Sequence, residues 1–247
     1  MGNPRHLTRA PIQEAIVHIA FDAVPGDAVS RAAAMFEGKY SVAAADLWQT
    51  SFQIKVEPNQ APLAQHATGF VGKRIDIPQQ HQVVQLQSGS FTASRLPPYE
   101  TWEEMLGLAM AGWADFAECA GVKRVTQLAV RYLNVLQIPL PFDDFTEYLN
   151  SAPVIPESLP QGLAGFLNRV VIPRDADVAV VTQSFEGIVE ATGGQALKVA
   201  FDIEASSQCS LGTDDFSQIV PTLERLRAYK NDVFFSFLTD KTLEMYA

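Results

Sequence analysis

Apolar and polar residues alternate with a period of two along several stretches of the chain, the pattern of half-buried β-strands. Residues 11–22 alternate in this way, with Glu14 and His18 on the face opposite Ala15. Residues 47–57 alternate more strictly and leave one face polar, which predicts an antiparallel sheet with one face in water. The same pattern predicts further strands at residues 69–77, 82–87, 91–96, 124–138, 166–173, 178–190 and 196–206.

Apolar residues spaced three and four positions apart predict helices in several of the remaining stretches. The predicted helices span residues 27–37, 101–120, 142–150, 217–237 and 240–246. Gly38 and Gly121 are predicted to end the first two helices, because glycine tolerates the left-handed conformation of a C-cap. At the start of the second helix, Thr101 and Glu104 match a capping box, in which the hydroxyl caps a backbone amide and the carboxylate reaches back.

The order of predicted elements occurs twice along the chain. A strand, a helix, antiparallel strands and a second helix fill residues 1–121, and a similar series fills residues 122–247. We therefore expect an α+β fold built from two topologically similar β-α-β(3-4)-α halves. The halves are expected to share one curved antiparallel sheet with helices on one face, and to form one compact unit.

Four segments of the chain carry a resemblance to a known family. They are APIQEAIVHIAF (10–21), FTASRLPPYETWEE (91–104), VRYLNVLQIP (130–139) and NDVFFSFLTDKTLEMY (231–246). Together they resemble an uncharacterised, sporadically distributed family of bacterial proteins of about this length. The resemblance implies a bacterial source and a single folded unit, and it supplies no catalytic residues. Its patchy distribution is typical of defence, toxin–antitoxin and immunity genes.

The acidity of the chain bears on whether its partner is a nucleic acid, a membrane or another protein. There are 28 Asp and Glu residues against 18 Lys and Arg residues, for a formal net charge of −10. Nucleic-acid binding and binding to anionic membranes both depend on basic residues, so we expect neither, whereas a basic partner protein fits. The first residues lack an apolar signal core, and no stretch approaches the roughly 20 apolar residues of a membrane span, which together predict a cytoplasmic protein.

Motifs for metal, phosphate and nucleophile chemistry are missing from the sequence. Cys119 and Cys209 stand outside any CxxC pattern, and the paired Gly193 and Gly194 are predicted to form a turn. No Walker A, GxGxxG or GxSxG motif occurs. The histidines stand singly, without the spacing of metal ligands: His6, His18, His66 and His81. We predict no metal site, no cofactor and no catalytic residue, and we favour a protein that is not an enzyme.

One group of polar and aromatic residues stands out as a candidate site for a ligand or partner. Its members are Arg95, Tyr99, Glu100, Trp102, Arg131, Tyr132 and Asn134, with Glu14 and His18 on the first strand. The strand at residues 124–138 is apolar on both faces, which predicts a central position, so the charge of Arg131 within it needs a partner. Either Arg131 binds an anion in a polar pocket, or it pairs with Glu14 in a structural network.

Two functions of different classes fit these observations. The first is a non-enzymatic protein-binding component of the immunity or antitoxin type, acting on a basic partner. The second is a small-molecule-binding domain, with a pocket between the curved sheet and the helices at 101–120 and 217–237. A homodimer is a further expectation, formed through a sheet edge or through Phe234, Phe235 and Phe237.

Overall fold

The computed structural model describes residues 7–55, 63–160, 163–191 and 194–247. The strands are β1 (Ile12–Phe21), β2 (Ala44–Lys55), β3 (Leu63–Ile77), β4 (Gln82–Gln87), β5 (Ser90–Arg95), β6 (Arg124–Pro139), β7 (Leu167–Arg174), β8 (Asp177–Ala191) and β9 (Gly194–Gly212). The helices are α1 (Gly26–Tyr40), α2 (Trp102–Ala120), α3 (Ile219–Phe237) and α4 (Asp240–Met245). Residues 56–57 of the second predicted strand, Gly193 and His6 lie outside the described residues.

These strands form one nine-stranded sheet in the order β2-β3-β4-β5-β1-β6-β9-β8-β7. Every neighbouring pair is antiparallel, and β1 pairs with β6 near the middle of the sheet. The predicted α+β class and the predicted antiparallel sheet are therefore confirmed. Among the described residues, no helix combines the length and the apolar character that crossing a bilayer requires.

One face of the sheet is buried beneath α1, α2 and α3. In β1, Ala15, Val17 and Ile19 are fully buried, because the pleat turns every second side chain toward the helices. Aromatic rings join the layers: the ring centroid of Phe21 lies 5.5 Å from that of Phe116 on α2. The rings of Phe201 on β9 and Phe234 on α3 are 5.8 Å apart. The sheet and the long helices thus share one apolar core.

The opposite face of the sheet remains half-exposed along its central strand. On β6, Tyr132, Asn134 and Leu136 are buried, whereas Arg131 and Val135 retain partial exposure. The predicted central position of this strand is confirmed by its pairing with β1 and β9. Its second face stays half-exposed although it is largely apolar, because the long helices pack against the other face of the sheet.

One predicted helix end and one predicted helix were wrong. Helix α1 continues past Gly38 to Tyr40, and Ser41 takes the left-handed C-cap with φ of 55°. In place of a helix at 142–150, a single 3₁₀ turn spans Phe145–Glu147. Backbone pairing with Leu238 just beyond this turn diverts the chain before an α-helix can propagate.

The predicted cap of α2 forms in part. The Thr101 hydroxyl accepts a hydrogen bond from the Glu104 backbone amide at 3.2 Å. The Glu104 carboxylate lies 3.0 Å from the Arg95 guanidinium, so this side chain ties the helix start to β5. The start of α2 is therefore fixed both by its own cap and by an ion pair to the sheet, which holds the neighbouring residues in place.

Candidate functional site

A cavity of about 430 Å³ lies between the sheet and the two long helices α2 and α3. Its walls come from the segment before β1, the start of α2, the middle of β6 and one side of α3. The lining residues are Leu7, Thr8, Ala10, Ile12, Tyr99, Glu100, Thr101, Trp102, Glu103, Tyr132, Asn134, Arg227, Lys230, Asn231, Phe234 and Phe235. Two other depressions of similar size in the described part of the chain contain no buried charged side chain.

Lys230 is the most unusual side chain in this cavity. It belongs to the buried stripe of α3 and is 7% exposed. Within the described parts of the chain it has no hydrogen bond and no ion pair, and its Nζ lies 3.5 Å from the centre of the Tyr132 ring. Burial, and to a smaller extent the positive charge of Arg227, together lower the pKa of Lys230 to about 7. At neutral pH its amine is therefore close to half protonated.

A pair of tyrosines forms the sheet side of the cavity. The hydroxyls of Tyr99 and Tyr132 lie 2.7 Å apart, and the rings meet edge to face with centroids 5.6 Å apart. Burial raises the pKa of Tyr99, and it raises the pKa of Tyr132 well above its ordinary value. Both phenols thus stay protonated at neutral pH and supply hydroxyl groups rather than charge.

Asn134 lies two residues beyond Tyr132 on the same face of β6. Its side-chain amide donates to the carbonyls of Tyr132 at 3.2 Å and of Phe201 at 3.0 Å. These bonds satisfy both amide hydrogens and lock the side chain, which is 2% exposed. Its carbonyl oxygen accepts no hydrogen bond from a residue that the structure describes, so it is left as an acceptor at the cavity wall.

Charged and indole groups frame the opening between α2 and α3. The Trp102 indole donates to the Glu224 carboxylate at 2.6 Å, and the Arg227 guanidinium lies 5.5 Å from the centre of the Trp102 ring. Arg227 is 3.8 Å from Glu103 and 3.7 Å from Glu224, and its side chain is 34% exposed. These long ion pairs in partial solvent hold Arg227 weakly, so the guanidinium is able to approach a carboxylate in the cavity.

Arg131 lies on the other face of β6 from Tyr132 and Asn134. Its guanidinium forms a bidentate ion pair with Asp202 of β9, with N–O distances of 2.6 to 3.1 Å. The predicted structural role of Arg131 is therefore supported, but its direct partner is Asp202 and not the predicted Glu14. Both acids lie diagonal to Arg131, each opposite Leu133, and the Arg131 side chain extends toward β9. The alternative, in which Arg131 binds an anion in a polar pocket, stays a prediction; such a pocket would not include Asn134, because Arg131 and Asn134 point to opposite faces of the strand.

The remaining predicted site residues divide between the two faces of the sheet. His18, like Glu14, lies on the half-exposed face, where its Nδ1 is 2.9 Å from the Thr92 hydroxyl and burial lowers its pKa. Arg95 is 6% exposed, and it binds the Gln80 carbonyl and Glu104. The cavity therefore brings together part of the predicted cluster: Tyr99, Glu100, Trp102, Tyr132 and Asn134.

Lys230 and Arg227 are the site residues that sequence reasoning missed. The available signal was that Lys230 occupies a position in the apolar stripe of α3, four residues after Leu226. A charge on the buried side of a helix needs a partner, as does the charge of Arg131 within an apolar strand. Arg227 carried no comparable signal, because an arginine on a helix is ordinarily solvent-exposed.

The described residues contain no group of three or more His, Cys, Asp or Glu side chains placed to hold a metal ion. Phe234 and Phe237, considered above for a dimer interface, pack on Phe201, with ring centroids 5.8 and 6.0 Å away.

Comparison with protein-family models and with curated proteins finds no match to this chain. Its function is therefore argued from the geometry of the cavity.

Proposed function

We propose that this protein binds a small molecule with an anionic group in the cavity between the sheet and helices α2 and α3. The observation that carries the proposal is Lys230, a buried amine with no acidic partner among the described residues. A buried charge without a counter-charge is costly, so an anion that enters the cavity gains an electrostatic partner that the protein itself does not provide.

The chemistry of the walls indicates what the rest of the ligand is like. Ile12, Phe234 and Phe235 supply apolar surface, and the Tyr99 and Tyr132 pair supplies polar hydroxyls. A volume of about 430 Å³ lies within the range of small-molecule sites, which are apolar with a few well-placed polar groups. The proposed ligand is therefore a metabolite-sized acid with an apolar or aromatic body.

Thermal denaturation with a panel of aromatic acids, aliphatic acids and matched amines tests this proposal. A cavity ligand at 100 times its Kd is expected to raise Tm by about 5–10 °C for a chain of this size. Lys230→Met should abolish the shift, and Lys123→Met, which removes an exposed lysine, should leave it unchanged.

Calorimetry at pH 8 provides a second readout of the same binding. Because Lys230 is mostly neutral at this pH, pairing with an anion should take up about one proton per ligand, seen as a dependence of the heat on buffer ionisation. Acids that bind equally well to the Lys230→Met variant, or that bind without proton uptake, would contradict the proposed role of Lys230.

A protein-binding role of the immunity or antitoxin type is the second proposal, and the outer strand β7 supports it. This edge strand exposes Leu167 by 73% and Val171 by 51%, and an apolar unpaired edge favours pairing with another chain. The partner is proposed to be a basic protein, with a homodimer as the alternative. Light scattering separates the two, and Val171→Lys should abolish either association while the fold remains intact.

We also propose that the chain consists of two related halves that share the sheet, residues 1–121 and 122–247. The strand order supports this proposal, since β1 and β6 lie side by side and each is flanked by the last strand of its own half, β5 or β9. Helices α2 and α3 then follow those last strands. The cavity lies where the two halves meet.

A further inference from the structure

We propose that the ligand of this cavity is an oxo acid, and that the Lys230 Nζ forms a reversible imine with its carbonyl carbon. The inference rests on the proposed binding function and gives it a substrate class. It stands on three features of the cavity: an amine that opens into it, a second cation on the same side of α3, and a pair of hydroxyls beside the amine.

The first feature is the chemical state of the Lys230 amine. Nucleophilic lysines are neutral lysines, and proteins obtain them by desolvation in an apolar pocket or by a neighbouring cation. Both conditions hold at Lys230, which is buried and lies one helical turn from Arg227. At pH 7 about half of such amines are neutral, against fewer than about one in a thousand for a lysine with the ordinary pKa near 10.4.

The surface lysines provide an internal contrast. Lys39, Lys73 and Lys241 each lie 2.5 Å from a carboxylate oxygen, of Asp115, Asp46 and Glu147 respectively. An amine in an ion pair is held in its protonated form, and the partner raises the pKa of both Lys39 and Lys241. A carbonyl compound should therefore react at Lys230 in preference to these lysines.

The second feature is the placement of Arg227 for an acid group. Positions 227 and 230 lie on the same side of α3, since residues three apart on a helix are neighbours. Glu103 and Glu224 approach Arg227 no closer than 3.7 Å, so a ligand carboxylate at direct hydrogen-bond distance would bind the guanidinium more closely. A molecule that carries a carboxylate near a carbonyl fits both cations at once.

The reaction needs no component beyond the ligand and the protein. The lone pair of neutral Nζ attacks the carbonyl carbon, and a proton moves from nitrogen to the former carbonyl oxygen to give a carbinolamine. The C–O bond of the carbinolamine then breaks as the hydroxyl takes the remaining hydrogen of Nζ and leaves as water, which gives the C=N bond to Lys230; one proton from solvent converts the imine to its iminium form. The Tyr132 and Tyr99 hydroxyls line the same wall and can pass these protons, and the Tyr132 ring beneath Nζ favours the cationic iminium.

Reductive trapping with a matched pair of acids tests the inference. Phenylpyruvate has the carbonyl, and phenyllactate has a hydroxyl in its place. Treatment of the full chain with phenylpyruvate and cyanoborohydride at pH 7 should add one reduced adduct per chain, located at Lys230 by peptide mapping. Lys230→Arg should lose the adduct, Lys123→Arg should keep it, and excess phenyllactate should slow its formation at least tenfold.

The outcomes separate this inference from the binding proposal. If phenyllactate and phenylpyruvate both stabilise the chain in a manner that needs Lys230 and no adduct forms there, the imine is overturned and the anion site stands. Adducts spread evenly over the exposed lysines would also overturn it. If neither acid stabilises the chain or labels Lys230, both proposals fail for this class of ligand.

Discussion

Replacing Lys230 with methionine should change how the stability of the protein depends on pH. Methionine keeps the unbranched length of the side chain and removes the amine. Lys230 has a pKa of about 7 in the folded chain against an ordinary value of 10.5. Between these values the unfolded chain binds more protons than the folded one, so the free energy of unfolding rises with pH.

The difference between the two pKa values sets the size of the effect. Full protonation of Lys230 in the folded state corresponds to about 5 kcal/mol of lost stability, present below pH 7 and relieved as pH rises toward 10.5. Between pH 7 and pH 9 the relief should reach about 2 kcal/mol. Buried Tyr99 and Tyr132 act in the opposite direction at higher pH, because their raised pKa values make the unfolded chain lose protons first.

Urea unfolding followed by tryptophan fluorescence at pH 7, 8 and 9 measures this dependence. Lys230→Met is expected to be more stable than the parent chain at pH 7, with a difference that shrinks by about 2 kcal/mol by pH 9. Lys123→Met should keep the pH dependence of the parent. Glu100 just before α2, Glu103 on α2 and Arg227 on α3 line the cavity with Lys230 and stay in every variant, so their contributions cancel.

Two results would refute the reasoning. A constant difference between parent and Lys230→Met from pH 7 to pH 9 would mean that Lys230 keeps its charge when the chain folds. A variant less stable than the parent at pH 7 would mean that the amine has a stabilising partner. Either result would also remove the main support for the anion site.

Two further substitutions test the site and its surroundings. Arg131→Ala should destabilise the chain by less than about 1 kcal/mol, because its ion pair is part-exposed. Ligand binding should stay intact, because Arg131 lies on the other face of the sheet from the cavity. Urea unfolding measures the loss of stability, and a loss above about 2 kcal/mol would contradict this account. Tyr99→Phe should cost about 1 kcal/mol, because the buried Tyr132 hydroxyl loses its oxygen partner and keeps only the long contact to the Met105 sulfur at 4.0 Å. The double variant Tyr99→Phe/Tyr132→Phe should recover part of that stability, and a double variant no more stable than the single one would argue against the pair.

Local sequence patterns determined the secondary structure well. The period-two alternation around Ala15 located β1, and the Thr101 cap located the start of α2 to the residue. Such patterns work because backbone geometry alone fixes which side chains share a face of a strand or helix. They failed where a distant contact intervened, as at the 3₁₀ turn whose neighbouring residue Leu149 pairs with Leu238.

Partners across the sheet could not be predicted in the same way. The sequence identified Arg131 as a charge in need of a partner, yet Glu14 and Asp202 are both acidic residues on strands beside it. Register sets both acids opposite Leu133, diagonal to Arg131 on its two sides, so the choice depends on the direction in which the Arg131 side chain extends. The tertiary structure decided this pairing, because only it shows that the Arg131 side chain extends toward β9 rather than toward β1.

The sequence by itself determined that the chain forms an antiparallel α+β protein, and it placed Tyr99, Trp102, Tyr132 and Asn134 among the residues of interest. It also set Lys230 on the buried side of α3, because helical periodicity fixes that phase. Only the tertiary structure decided that this lysine faces an open cavity rather than an acidic partner. The cavity lies where α2, α3 and β6 meet. Its existence depends on how three elements distant in sequence pack together, which no local sequence pattern predicts.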